Sequence, residues 1–157
     1  MRYGAAHADI EVTVHYELYD GVPVLCKWLQ IDNVSDRPVQ IESFSVEVLA
    51  VVDYESCVEG QKGWPYPTLH VESDYAFHGM TANSADVTTC WLPDPRYTSQ
   101  VNYRLESPLL LETRPPWGPD VSLAAGESLT SFRTFVVCPD STERERRGLA
   151  LRRFYRV

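Results

Sequence analysis

Residues 10–18 (IEVTVHYEL) alternate without a break. Ile10, Val12, Val14, Tyr16 and Leu18 share one parity; Glu11, Thr13, His15 and Glu17 share the other. Successive side chains of an extended backbone point to opposite faces, so this pattern calls for a half-buried strand. Asp20-Gly21 follows at once. Both residues tolerate positive φ, which makes the pair a strong hairpin signal. Residues 24–32 (VLCKWLQID) read as the returning strand, with Leu25, Leu29 and Ile31 opposing Cys26, Trp28 and Gln30.

The polar turn NVSDRP (33–38) leads into a third strand over 39–51. Its apolar phase slips between Ile41 and Phe44, and a β-bulge near Glu42-Ser43 would account for that. Together these strands predict a meander, a common start of a sandwich sheet. Further strands are expected over 86–92, 100–105, 108–113, 121–123 and 129–138, with Ala124 to Glu127 as a hairpin loop. Eleven prolines and eight glycines favour turns over long helices. The expected fold class is therefore all-β: an antiparallel β-sandwich over residues 1–139.

One helix is expected, over residues 140–157. Asp140 or Ser141 can cap it, Glu143 falls in its first turn, and Glu143 and Arg147 stand four apart in the favourable order. Gly148, Leu151, Phe154 and Tyr155 share a face, and a glycine there suggests a close packing contact. No glycine cap precedes Val157, which predicts that the natural chain continues.

The 157 residues suit a single core, and the net charge of −8 is uneven. Residues 140–157 hold six arginines against three carboxylates, so the remainder is more acidic than the total. An acidic body argues against nucleic acid as a partner. No apolar run reaches the ~20 residues of a membrane span, and residues 1–9 lack the apolar stretch of a signal peptide. Neither membrane association nor export is expected, and the cytoplasm is the predicted location. Cys26, Cys57, Cys90 and Cys138 form no metal-ligand spacing. Cys26, Cys90 and Cys138 read as small buried apolar residues. No cofactor and no metal are expected.

Several blocks, taken in order, resemble one family: YELYDGVPVLCKWLQIDN, LHVESDYAF, YTSQVNY, the Gly-Glu loop before LTSFRTF, and DSTERERRGLALRRFYR. The order is similar to that of the N-terminal β-supersandwich domain of α-galactosidase-type glycoside hydrolases, within the galactose-mutarotase-like superfamily. The resemblance spans the chain from about residue 8. It implies a non-catalytic module that precedes a (β/α)₈ barrel of the same chain, with residues 140–157 as a helical linker. Partners implied are that barrel, carbohydrate, and a second copy in a homo-oligomer. The family's catalytic carboxylates would lie in the barrel.

The residues themselves offer weaker chemistry. Glycoside hydrolysis needs two opposed carboxyl groups. Nothing in the spacing of Asp53, Glu55, Glu59, Glu72, Asp74, Asp86 and Asp94 selects a pair, and surface or turn roles explain most of them. Acid–base work at an anomeric carbon needs a Glu with a His. His70 and Glu72 stand two apart and share a face if extended, with His78 as a further candidate. They make a small aldose-epimerase-like enzyme the alternative reading, although a strand of alternating polar residues produces such a pair by chance. Sugar binding uses flat aromatic faces with polar side chains for hydroxyls. Trp64, Tyr66, Trp91, Asp94, Tyr97 and Trp117 fit that inventory. Trp64 and Tyr66 would serve a free-standing carbohydrate-binding module, since loops carry binding residues. For Trp91 and Trp117, packing at an interface is the stronger expectation.

Overall fold

The computed structural model describes residues 8–51, 67–75, 87–97 and 104–157. It is an antiparallel, sandwich-like all-β fold with one C-terminal helix. The alternating run becomes β1 (Ile10–Leu18), and residue for residue it pairs with β2 (Val24–Asn33). The turn between them uses Gly21 at φ 70, the left-handed conformation glycine adopts freely.

From β2 onward the connections differ from a meander. β3 (Val39–Ser43) does not pair with β2 but with β8 (Pro119–Leu123). β4 (Glu47–Ala50) belongs to another sheet, where β7 (Leu110–Thr113) lies between it and β6 (Thr89–Leu92). The phase slip near residue 43 is therefore no bulge. The strand stops at Ser43, passes through Phe44 to Val46 and restarts in a different sheet. β2 sits in the large sheet between β1 and β10 (Thr134–Val137), and β10 pairs in turn with β5 (His70–Ser73). β9 (Ser128–Thr130) extends the partnership along β2.

The run 129–138 also divides. Thr130 pairs with Gln30 and Thr134 with Lys27, so three residues oppose the two residues Trp28 and Leu29. This is the bulge, and it lies on a different strand from the one expected. Leu29 N–H donates to the Ser131 hydroxyl at 2.8 Å, and Ser131 N–H donates to the Leu29 carbonyl at 2.9 Å. Ala124 to Glu127 is not a hairpin loop either: it carries the chain from β8 in one sheet to β9 in another. The expected strand at 100–105 lies outside the described residues up to 103, and Arg104 and Leu105 are not in a strand.

The large sheet turns one face to the two smaller sheets. Leu29 and Ile31 pack with Ile41, Val46 and Leu123. Val71 and Val136 pack with Trp91 and Leu111. Between these apolar clusters runs a polar seam. On the large sheet Lys27, Thr134 and Ser73 are successive register partners. On the three-stranded sheet Glu47, Thr113 and Thr89 are. Lys27 Nζ meets Glu47 Oε1 at 2.8 Å, and the Thr113 and Thr134 hydroxyls bond at 2.8 Å. The Glu47 N–H also donates to the Thr113 hydroxyl, at 3.1 Å. Ser73 and Thr89 come next in the two rows, and neither hydroxyl has a partner.

The helix α1 (Arg144–Phe154) starts later than the sequence suggests. Glu143 occupies the N-cap position without a side-chain cap. Asp140 pairs with Arg146, and the Ser141 hydroxyl accepts the Glu143 N–H at 3.1 Å. Gly148 has nothing within 4 Å of where a Cβ would stand, so no close packing contact explains it. Of the cysteines expected to be buried, Cys26 is buried, Cys90 is intermediate and Cys138 is exposed. Cys57 lies outside the described residues.

The seam predicts opposite outcomes for two threonines. Thr113→Val deprives both the Thr134 hydroxyl and the Glu47 amide of a partner inside the core and should cost ~1–3 kcal/mol in urea denaturation. Thr89→Val removes a hydroxyl that bonds to nothing and should be neutral or stabilising. Equal losses in the two variants would contradict this account.

Candidate functional site

Strand β5 places His70 and Glu72 on the outer face of the large sheet, because residues two apart on a strand point the same way. Beside them β10 contributes Phe135, the register partner of Glu72. The helix α1 lies over this face. Phe154 packs on Phe135 with ring centroids 5.5 Å apart, and Tyr155, just beyond the helix, continues the contact.

Three polar groups converge there. His70 Nε2 lies 2.6 Å from Glu72 Oε1, and each side chain is only 12% exposed. The Tyr155 hydroxyl donates to the same Glu72 oxygen. Burial, and then the hydrogen bond and charge of Glu72, push the Tyr155 phenol up from 10.0 to about 12. A buried carboxylate needs such donors, since leaving it unpaired in a poor dielectric is costly. The expected His–Glu pair therefore exists, in direct contact. The sequence did not reveal its third member: Tyr155 is 83 positions from Glu72, and no local pattern links them.

The arrangement supports two kinds of chemistry. A His and a Glu in hydrogen-bond contact can share and pass a proton. The same contacts also hold a helix to a sheet. Oε1 of Glu72 serves His70 and Tyr155 together, so the carboxylate oxygen nearest the imidazole is already occupied.

The aromatic candidates are dispersed. Trp64 and Tyr66 lie outside the described residues, as do His78, Asp53, Glu55, Glu59 and Asp86. Trp91 is 7% exposed and belongs to the core with Val71, Leu111 and Val136. Asp94 is buried in the turn after β6, where its Oδ1 accepts the Arg96 N–H at 2.8 Å. Tyr97 is exposed nearby, and its N–H donates to the Asp94 carbonyl at 3.3 Å. Trp28 is stacked: the His15 ring lies parallel at 4.9 Å, and the Arg133 guanidinium lies 4.9 Å from the indole centroid. Trp117, in the turn before β8, is 85% exposed. Among the described tryptophans it is the one whose ring is open to solvent.

Among the described residues no group of three or more His, Cys, Asp or Glu side chains is arranged to hold a metal ion. No helix among them is long and apolar enough to cross a membrane. Compared with known proteins, the chain matches no family model, no curated protein and no solved structure.

The raised phenol sets a pH dependence. The folded chain holds the Tyr155 proton more tightly than the unfolded chain does. The resulting stability is complete below pH 10.0 and disappears as pH rises through about 12. Ultraviolet titration should show late-ionising tyrosines, one of them Tyr19, also raised to about 12. Tyr155→Phe should remove one late-ionising phenol and, because Tyr155 is 63% exposed and solvent screens the contact, lower stability at neutral pH by only ~0.5–1 kcal/mol. Loss in that variant of a phenol that ionises near the ordinary 10.0, with the late-ionising phenols unchanged, would refute the Glu72 contact.

Proposed function

We propose that the chain is a non-catalytic β-sandwich module of a carbohydrate-active enzyme, of the α-galactosidase-like glycoside hydrolase type. In this reading residues 140–157 join the sandwich to a catalytic barrel, and the sandwich supports that barrel. The order of sequence blocks supports it, as does the sandwich fold. One observation carries it furthest: the most enzyme-like pair in the chain, His70 and Glu72, is engaged in anchoring the helix through Tyr155. The helix is thereby held on the sheet, with Arg144 and Arg152 exposed. An anchored helix with exposed arginines suits an element that orients a neighbouring domain, since arginine is favoured at protein contacts.

A second reading rests on the 2.6 Å contact itself. A paired His and Glu could move protons at a sugar's anomeric centre, making the chain a small aldose-epimerase-like enzyme. The carbohydrate-binding alternative depends on Trp64 and Tyr66, which lie outside the described residues.

Two measurements separate these readings. For the module, the reading frame should run on past Val157 into a barrel that carries the two carboxylates of a glycosidase. A stop codon there, with no barrel, would overturn the module. NMR of glucose and galactose anomerisation should show the same rate with and without the protein. An acceleration that His70→Ala abolishes would establish the second reading instead.

A further inference from the structure

The tip of the β1–β2 hairpin and the side of α1 that faces it flank an open cavity of about 480 Å³, lined mostly by exposed residues. That lies within the ~300–1,000 Å³ of ordinary small-molecule sites. Val22 and Pro23 line it from the hairpin, and Asp140, Arg146, Leu149 and Arg153 from the helix and its approach. Arg146, Leu149 and Arg153 fall three and seven positions apart, so one stripe of the helix faces the hairpin. His70, Glu72 and Tyr155 do not line it.

Its chemistry is mixed in a specific way. Val22, Pro23 and Leu149 supply aliphatic wall, and Leu149 is 53% exposed at that wall. Arg146 is paired with Asp140. The Arg153 side chain forms no hydrogen bond or ion pair with any described residue. Two guanidinium groups thus face a single carboxylate, and the cavity is cationic within a chain of net charge −8. An arginine fork matches the paired oxygens of carboxylate and phosphate. Arg153 also sits in the last turn of the helix, where a cation is favoured by the helix dipole. That placement explains its charge but not the aliphatic cavity beside it.

We propose that this cavity binds a small organic anion, a sugar-sized molecule bearing a phosphomonoester or a carboxylate. The anionic group sits on Arg153 with help from Arg146. The body of the molecule covers Val22, Pro23 and Leu149, and Asp140 accepts from a hydroxyl. The proposal does not depend on the module reading, because residues of this chain alone line the cavity.

Titration of the whole chain, followed through backbone amide NMR shifts, tests it. The probes are glucose 6-phosphate, glucuronate, glucose and inorganic phosphate. The expected result is a localised shift of the Val22, Leu149 and Arg153 amides with at least one sugar anion, and no shift with glucose. Comparing the two anions distinguishes phosphate from carboxylate. Arg153→Gln should weaken binding by about tenfold or more, the loss expected for a charge-assisted fork. Arg152→Gln, an exposed neighbour outside the cavity, should change it by less than about twofold. Leu149→Asp, which adds a carboxylate to the wall, should abolish binding while far-ultraviolet circular dichroism shows the helix retained. The proposal fails if no anion shifts these amides, if glucose binds as tightly as the anions, or if both arginine variants lose affinity equally. Inorganic phosphate binding as tightly as glucose 6-phosphate would mean an adventitious ion only, and would also overturn it.

Discussion

The largely buried ion pair between Lys27 and Glu47 fixes how the two layers of this protein face each other. Each charge was taken out of water, a cost that only close geometry and further hydrogen bonds offset. The 2.8 Å contact meets the first condition. Glu47 Oε1 also accepts the Val48 N–H at 3.0 Å, which helps meet the second. A slip of one residue in either strand would turn one partner to the opposite face of its sheet and leave the other charge buried alone. The Thr113–Thr134 bond repeats the constraint one strand over. Apolar contacts on either side tolerate small shifts; this seam does not.

The seam also explains why the chain breaks its strands where it does. Glu47 must reach Lys27 from a sheet different from the one that holds Ile41. The residues from Phe44 to Val46 make that transfer, with Val46 and Phe44 packed in the first apolar cluster. On the other side of the sandwich, the bulge at Ser131 to Arg133 lets one continuous run partner β2 twice. It also aligns Arg133 with Trp28, whose indole lies between that arginine and His15.

Helix α1 completes the structure on the outer face and links architecture to function. Its anchor is partly apolar, Phe154 on Phe135, and partly polar, Tyr155 on Glu72. A carboxylate and an imidazole in contact would ordinarily suggest proton transfer, but here they also hold the helix. Anchoring and catalysis make different demands on Glu72. An anchor wants its oxygen filled and shielded, whereas a catalytic base needs the oxygen open to substrate. The shared use of Oε1 by two donors favours the first role. The hairpin–helix cavity is separate, since none of His70, Glu72 and Tyr155 lines it.

Alternation determined β1, because side-chain direction in a strand depends only on residue parity, and the Asp20-Gly21 turn signal then determined the returning β2 and hence the β class. His70 and Glu72 were legible for the same reason. Which strands became neighbours was decided by the tertiary structure. The pairings of β3 with β8 and β2 with β10 join residues 76 to 113 positions apart, and nothing local encodes them. The phase slip at residue 43 was visible, but a bulge and a change of sheet leave the same trace in a sequence. The burial of Trp91, the stacking of Trp28 and the arrival of Tyr155 at Glu72 are likewise contacts between distant segments. Local chemistry gives each residue its preferred face, while the packing of one face against another selects its partners.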